Sequence, residues 1–437
     1  MERIGLKANM SLKNNVFFIV SLAVMAFFMR VIIGTSYFNA IDLMNYNKGW
    51  MESLSDGLFD VYARNANIDY PPVFLMLLYP FSGLIKDEIV SGDDHLMMLL
   101  LKIVPIIFDT LIIPLLWFVF KDKSPKLGIM AASLWAINAS GIINSTLWGQ
   151  TDAIMAFMLI LCFYLLENGR CYLGGIFFAL ACVTKYQSLY FAPVVVLELI
   201  TRYRLKKTLL SVVCGIAAGA VVFLPFMIGS GRPLLVGELY FGGFDKYNYG
   251  TLNAYNFYGV LGLNGVETYR GLGFSSSGGI KSVLDIVSIG TFGWIMMALS
   301  VAFLITLYLT AKKRSIWIMA AVFMELIFMM TTRMHERYQF IVVPFCLVGA
   351  LMEDDIRLFI SYILLTVITC INQAALLIAY NGSYENIVDS EFGNILTSMS
   401  VVNIFIMLFM LYSVLRLCYF GKRGSKRPDS DPQTETQ

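Results

Sequence analysis

The chain of 437 residues is too apolar for a soluble protein, since 58% of its residues are hydrophobic and 14% are charged. Soluble domains carry about a quarter of charged residues. A mean hydropathy of +0.71 indicates an integral membrane protein. The formal net charge of +2 is too small to favour nucleic acid as a partner.

Apolar stretches close to the length of a membrane-spanning helix, about 20 residues, recur along almost the whole chain. They predict an all-α polytopic membrane protein with about 10–14 transmembrane helices. Those between 152 and 200 are short, which predicts tilted, broken or re-entrant helices there. In chain order the candidate spans are 16–34, 97–120, 127–147, 152–166, 171–184, 188–200, 208–229, 283–310, 315–332, 338–352, 356–380 and 398–420.

The charge of the loops predicts the orientation, because short cytoplasmic loops carry an excess of Lys and Arg. The basic loops fall on one side if the spans alternate, and they lie at 121–126, 201–207, 311–314 and 421–427. That side is predicted to be cytoplasmic, together with the N-terminal residues 1–15 and a disordered tail at 421–437. Residues 16–420 are then a single membrane domain, whose long external loops cover about 35–96 and 230–282.

Five polar clusters fall on the predicted external side, although solvated turns would be scattered over both sides. They are Asp42, Asp69 in "DYPP", the Trp148, Gln150 and Asp152 of "LWGQTD", the Lys185 and Gln187 of "TKYQS", and the Arg333, His335, Glu336 and Arg337 of "RMHERY". The convergence predicts one site. Arg30, near the outer end of the first span, is a further candidate.

These clusters also have structural interpretations. Asp69 suits the N-cap of a helix that starts at the two prolines, in addition to a role in a site. Lys185 suits a lysine that extends its ammonium to the membrane surface, and Trp148 an interfacial residue in a tight turn. The intramembrane Lys102 and Asp109 are predicted to pair with neighbouring helices rather than with each other.

The residue types suit a displacement reaction on a phosphate-linked substrate. A carboxylate can accept the proton of an attacking hydroxyl, and Arg and Lys can hold a departing phosphate. The sequence has no glycine-rich nucleotide loop, which favours a lipid-linked donor over a soluble nucleotide sugar. The dispersed acids allow a divalent metal but do not require one, and no metal-ligand set or other cofactor is predicted.

Five segments follow one another between about residues 25 and 350: "DYPP", "NASGIINSTLWGQTDAI", "ALACVTKYQSLYFAP", "TLNAYNFYGVLG" and "RMHERYQFIVVP". Together they resemble the bacterial relatives of GPI mannosyltransferase II. These relatives belong to the GT-C superfamily, whose multi-span enzymes use polyprenyl-phosphate sugars. The family's "TKPQ" reads "TKYQ" here, with Tyr186 in place of a proline.

The resemblance implies a GT-C type architecture with a long external first loop. It also implies an inverting hexosyltransferase, with mannose favoured over glucose as the transferred sugar. Asp42 is expected to activate the acceptor, and Asp69 to serve the same catalytic site. The donor phosphate is expected to be held by Arg337 and Lys185, with Arg30 or Arg333. The residues expected to orient the substrates are His335, Glu336, Gln150, Asp152, Gln187 and Trp148.

The expected partners are a polyprenyl-phosphate sugar donor, the bilayer and an acceptor that is a lipid-linked molecule, a glycan or a protein. The expected location is a bacterial plasma membrane, with the active site on the external face. A transporter or flippase of a lipid-linked sugar is the alternative. Such a protein should bind its substrate near the membrane midplane and show repeat symmetry, and no internal repeat is visible in the sequence.

Overall fold

Helices build almost all of the computed structural model, which describes residues 2–37, 42–273, 286–379 and 390–421. In the N-terminal half they are α1 (Glu2–Ser36), α2 (Lys48–Ser55), α3 (Val61–Arg64), α4 (Pro72–Ser82), α5 (Glu88–Ser91), α6 (Asp94–Phe120), α7 (Pro125–Ala136), α8 (Ala139–Gly141), α9 (Asp152–Glu167), α10 (Cys171–Cys182), α11 (Ala192–Arg202) and α12 (Leu205–Ser230). π-Helical turns cover Leu43–Asn47 and Ile142–Leu147, and 3₁₀ turns cover Gly83–Lys86 and Tyr186–Phe191.

The C-terminal half adds seven described α-helices and a short two-stranded sheet. The elements are α13 (Leu235–Lys246), β1 (Thr251–Leu252), α14 (Phe257–Val260), α15 (Ile289–Thr310), α16 (Ile316–Met330), β2 (Met334–His335), the 3₁₀ turn Tyr338–Ile341, α17 (Val342–Glu353), α18 (Ile356–Ala379) and α19 (Ser390–Phe420). The strands β1 and β2 are parallel, with Thr251 opposite Met334 and Leu252 opposite His335. The predicted tail lies outside the described residues beyond position 421.

The long apolar helices confirm an all-α polytopic membrane protein. Within the described residues six helices are long and apolar enough to cross a membrane, and a seventh span results if the pair Pro125–Ala136 and Ala139–Leu147, bent by 46°, counts as one. The six are Lys13–Ser36, Asp94–Phe120, Leu205–Ser230, Ile289–Thr310, Ile356–Ala379 and Phe392–Phe420. They coincide with six of the twelve predicted spans.

Of the six remaining predicted spans, 127–147 corresponds to the bent pair, and the other five form shorter helices. Their lengths are 16 residues for α9, 12 for α10, 11 for α11, 15 for α16 and 12 for α17. At 1.5 Å per residue, a 12-residue helix is about 18 Å long, well short of the roughly 30 Å hydrocarbon core. A count of about twelve spans therefore depends on counting these short helices, three of which lie in the 152–200 region where short or broken helices were predicted.

Charges inside the long helices are paired with neighbouring helices, as predicted. Arg30 of α1 donates from Nε to Asp109 of α6 at 2.6 Å, and both side chains are fully buried. The Asp109 carboxylate also accepts from Trp135 Nε1 and Ser145 Oγ. Lys102 of α6 donates to backbone carbonyls at the end of α1. These bonds join α1, α6 and α7 and compensate charges that would be costly alone in a membrane.

The connections gather at two ends of the helix bundle. At one end, which we call the basic end, Lys123 lies 3.4 Å from Glu167 and Lys313 lies 2.6 Å from Glu353. At the other end, which we call the site end, α1 terminates beside the start of α6, and His95 Nδ1 lies 2.6 Å from Thr35 O. The basic loops at 121–126 and 311–314 thus form ion pairs at the basic end, while their orientation in a membrane stays a prediction.

Candidate active site

A pocket opens at the site end between the segment after α1 and the starts of α4 and α9. One part of its lining is polar and includes the two candidate catalytic carboxylates, and the other part is aromatic. The lining residues are Asp42, Tyr46, Asn47, Trp50, Asp69, Tyr70, Phe74, Gly149, Gln150, Thr151, Tyr247 and Arg337. The sequence alone did not show whether Asp42 and Asp69 meet; in the structure they share this wall.

Asp42 is held in place by the "LWGQTD" turn. Its Oδ2 accepts hydrogen bonds from Trp148 Nε1 at 3.0 Å and from Gln150 Nε2 at 2.5 Å. Both donors act on the same oxygen. The carboxylate is therefore oriented by neutral groups, and no salt bridge is among its contacts in the described part of the chain.

Arg337 packs over the ring of the same Trp148. Its guanidinium carbon is 5.4 Å from the centre of the Trp148 ring and 5.6 Å from that of Tyr338, which is within the range of cation–π attraction. Nη1 donates to Glu336 at 3.1 Å, and Nε is buried with no partner among the described residues. A single indole thus connects the carboxylate of Asp42 and the positive charge of Arg337.

Asp152 and Lys185 form a buried ion pair behind the pocket wall. The Lys185 ammonium is 2.6 Å from Asp152 Oδ1, and both side chains are 2% exposed. Asn144 donates to the second carboxylate oxygen of Asp152. Lys185 also lies 5.7 Å from the ring centre of Tyr338. Neither member of the pair lines the pocket, so their role there is indirect.

Tyr338 connects this pair to the other polar clusters. Its hydroxyl accepts a hydrogen bond from Gln187 at 2.7 Å. The cations of Lys185 and Arg337 both lie near its ring, 5.7 and 5.6 Å from the ring centre. The "TKYQS" and "RMHERY" segments therefore meet, as their common side predicted.

His335 and Glu336 lie beside Arg337, in the loop after α16, and both are buried. Burial raises the pKa of the Glu336 carboxyl to about 7, although the Arg337 guanidinium opposes this shift. Burial and the nearby charges of Arg337 and Lys185 hold the pKa of His335 well below its usual range. The His335 ring packs edge-on against Tyr247 at 4.7 Å. A neutral imidazole and a carboxyl that titrates near neutral pH follow from this environment.

The helix that follows "DYPP" is not capped by Asp69, so that interpretation is wrong. The N-cap of α4 is Pro71 and the first helical residue is Pro72, with no side-chain cap. Asp69 lies two residues before the cap and lines the pocket. The reason is that Pro72 restricts its predecessor to the extended region, and Pro71 has φ −64° and ψ 161°.

Two predicted phosphate-binding residues do not line this pocket. Arg30 lies in the buried network with Asp109 described above. Arg333 lines a separate, smaller pocket with Tyr190 and Trp294, and its Nη2 donates to Asn248 at 2.6 Å. The φ of Arg333, 64°, is unusual for a residue other than glycine. Arg333 and Arg337 line different pockets.

The sequence indicates only part of the aromatic wall. Tyr46 and Trp50 belong to "NYNKGW", whose polar and aromatic residues follow the candidate catalytic acid Asp42 and suit a sugar, and both line the pocket. For Tyr70 and Phe74 the only signal in the sequence was their position close to the two prolines of "DYPP". Tyr247 had no signal that the sequence made visible, since it lies in a long loop rich in tyrosine and glycine.

Residues 68–235 match the model of glycosyltransferase family 87. This match indicates a membrane glycosyltransferase. It covers less than half of the chain, and it includes Asp69, the "LWGQTD" turn and the Asp152–Lys185 pair. Asp42 and Arg337 lie outside the matched range. No curated protein shows a significant match.

The pocket of this transferase supplies groups for acid–base and electrostatic catalysis. It combines the oriented carboxylate of Asp42, the carboxylate of Asp69 and the guanidinium of Arg337, whose Nε has no partner among the described residues. Among the described residues no group of three or more His, Cys, Asp or Glu side chains could hold a metal ion. The arrangement suits proton removal from a hydroxyl beside a site that binds an anion.

Proposed function

We propose that the protein transfers a hexose from a polyprenyl monophosphate to a hydroxyl acceptor by a single inverting displacement. The hexose that we propose is mannose. The observation that carries the proposal is that Asp42 and Arg337 line one pocket and both contact Trp148, Asp42 at the indole N–H and Arg337 over the ring. A base and an anion-binding cation are the two groups that such a displacement needs.

Asp42 acts as the general base. The two donors on Oδ2 fix the carboxylate, which can then accept the proton of the acceptor hydroxyl. The acceptor oxygen forms a bond to C1 of the hexose while the bond from C1 to the phosphate oxygen breaks. The electron pair of that bond leaves with the polyprenyl phosphate, and attack from the opposite face inverts the configuration at C1.

Arg337 stabilises the departing phosphate. A guanidinium has five N–H donors, and the described contacts of Arg337 use Nη1, on Glu336. The remaining N–H groups suit two parallel bonds to phosphate oxygens. Lys185 adds positive charge from behind Tyr338, while Asp152 holds its position.

His335 and Glu336 position Arg337 rather than react. Glu336 accepts from Arg337, and His335 packs against Tyr247 in the pocket wall. Asp69 adds a second carboxylate, which can bind the hydroxyls of a sugar. Gln187 keeps Tyr338 in place through its hydroxyl.

The donor and the side of the membrane rest on resemblance and loop charge. The five ordered segments resemble enzymes that use polyprenyl-phosphate sugars, and the pocket lies at the end opposite the basic loops. We therefore propose transfer at the external face of a bacterial plasma membrane. The acceptor is a lipid-linked molecule, a glycan or a protein.

The direct test is to incubate the purified protein in lipid nanodiscs with radiolabelled mannosyl phosphoryl polyprenol and candidate acceptors. We expect release of polyprenyl phosphate coupled to a labelled product of inverted configuration. Glucosyl phosphoryl polyprenol serves as the matched control for the sugar. Absence of any transfer from either donor, with protein that binds neither, would contradict the proposal.

A further inference from the structure

Trp50 has an indole N–H that the fold does not use. The residue lies on α2, lines the pocket and is 3% exposed. Its Nε1 is buried and has no hydrogen-bond partner among the residues that the structure describes. Buried tryptophan N–H groups normally find an acceptor, so an unpaired one in the wall of a binding pocket calls for an explanation.

The surroundings of Trp50 account for its position but not for its N–H. Its ring lies 5.2 Å from that of Tyr70 and 6.4 Å from those of Tyr46 and Phe74. These contacts build the aromatic half of the pocket. A phenylalanine would pack in the same apolar surroundings without leaving a buried donor unpaired.

We propose that Trp50 is a sugar-recognition residue of the pocket, whose indole N–H donates a hydrogen bond to an oxygen of a bound pyranose. This inference rests on the proposed glycosyltransferase function and names one of its specificity determinants. An indole N–H is only a donor, so its partner must be an acceptor, and sugar hydroxyl and ring oxygens are acceptors. The aromatic rings beside it suit the apolar C–H face of a pyranose, while Asp42 and Asp69 on the other half of the wall suit its hydroxyls.

The sugar comes from one of two sources, the hexose of the donor or a sugar of the acceptor. Asp42 precedes a π turn that continues into α2, and Trp50 lies on α2. Both residues line the pocket, so a sugar bound at Trp50 shares the pocket with the proposed base. The same hydrogen bond serves either source, and the experiment separates them.

The test compares wild type with Trp50→Phe, which keeps an aromatic ring and removes the donor. Trp117→Phe is the matched control, because Trp117 on α6 also has a buried indole N–H without a described partner but does not line the pocket. The first probe is a mannosyl phosphate ester of a short polyprenol, and the second is the same polyprenyl phosphate without sugar. Thermal melting of each variant reports its folding.

We expect Trp50→Phe to bind the mannosyl probe about three- to tenfold more weakly, the size of one neutral hydrogen bond. Binding of the sugar-free phosphate should be unchanged, and Trp117→Phe should match wild type with both probes. A loss with the mannosyl probe assigns the bond to the donor hexose. A loss confined to the KM of octyl mannoside as acceptor, at saturating donor, assigns it to the acceptor.

A second measurement uses monodeoxy analogues of the mannosyl probe or of octyl mannoside. One analogue should lose affinity in wild type and lose nothing further in Trp50→Phe, since the two changes remove the same bond. Equal affinities of wild type and Trp50→Phe in both arms would overturn the inference, as would an equal loss with the sugar-free phosphate. A wild-type protein that binds no sugar probe would instead contradict the proposed function on which the inference rests.

Discussion

Replacing Arg337 by alanine removes the cation that we assign to the donor phosphate. Arg337 lines the pocket with its side chain 12% exposed, and it bonds to Glu336 through Nη1. Its Nε has no described partner, so at least part of the guanidinium is free to bind phosphate oxygens. The substitution should therefore destabilise the transition state of transfer more than it destabilises the fold.

The magnitude follows from the geometry. Removal of one preorganised donor that faces developing charge costs about 2–4 kcal/mol, which corresponds to about 30- to 900-fold in kcat/KM. Breaking a buried ion pair also destabilises a protein. The Glu336 carboxyl limits this cost because its pKa is already about 7, so it can take up a proton when its partner is lost.

Initial rates of mannosyl transfer, with the donor concentration varied, measure the effect. Arg337→Lys should recover only part of the activity because an ammonium lacks the planar fork of donors. Arg232→Ala is the control, since Arg232 forms a more exposed ion pair with Glu238 that does not line the pocket. Unchanged donor KM and kcat in a well-folded Arg337→Ala protein would refute the assignment.

Asp69→Asn should fold like wild type, since Asp69 does not cap α4, yet lose turnover because an amide carries no charge; wild-type transfer rates would count against a role in catalysis. Glu336 keeps its proton in the folded state up to about pH 7 but loses it near 4.5 when unfolded, so its contribution lowers stability as pH rises between these values; Glu336→Gln should flatten that part of a plot of Tm against pH, and an unchanged slope would argue against the shift. Arg30→Ala should destabilise the fold by about 3–5 kcal/mol, because it leaves the buried Asp109 carboxylate without a charged partner, while donor KM in the folded fraction stays unchanged; a raised KM would return Arg30 to the site. In a cysteine-free background, a single cysteine at Lys123 should be shielded from an impermeant thiol reagent in intact cells and one at Ser91 labelled; the reverse pattern would overturn the orientation.

The long helices could be predicted because the length of the apolar stretches and the positions of the charged loops indicate the same helix boundaries. Residues 127–147 were predicted as one span, whereas the structure has two helical segments, Pro125–Ala136 and Ala139–Leu147, bent by 46°. Asn138 caps the second part by accepting from Gly141 N, a signal that an uninterrupted apolar count does not register. Helix lengths in the 152–200 region were likewise uncertain, because apolar stretches do not reveal where a buried helix ends.

The convergence of the polar clusters could be predicted, but their contacts could not. Alternation of spans assigns Asp42 and Trp148 to one side, yet their hydrogen bond joins residues 106 positions apart. The packing of α1 on α6 brings Arg30 to Asp109, to which it donates a hydrogen bond. Arg30 therefore does not line the pocket. The sequence shows residue types and sides, whereas helix packing decides which side chains meet.

The role of Asp42 is the central claim, and the turnover rate of Asp42→Asn at saturating donor tests it most directly. Asn has a similar size and can still accept a hydrogen bond from Trp148 or Gln150 at its carbonyl oxygen, but it cannot take the proton of the acceptor. A general base contributes about 10²–10⁴-fold. We therefore predict that transfer falls by at least about a hundredfold, while Tm and donor affinity stay close to those of wild type. Turnover at the wild-type rate would contradict the account, and Asp69 would then be the first candidate for the base.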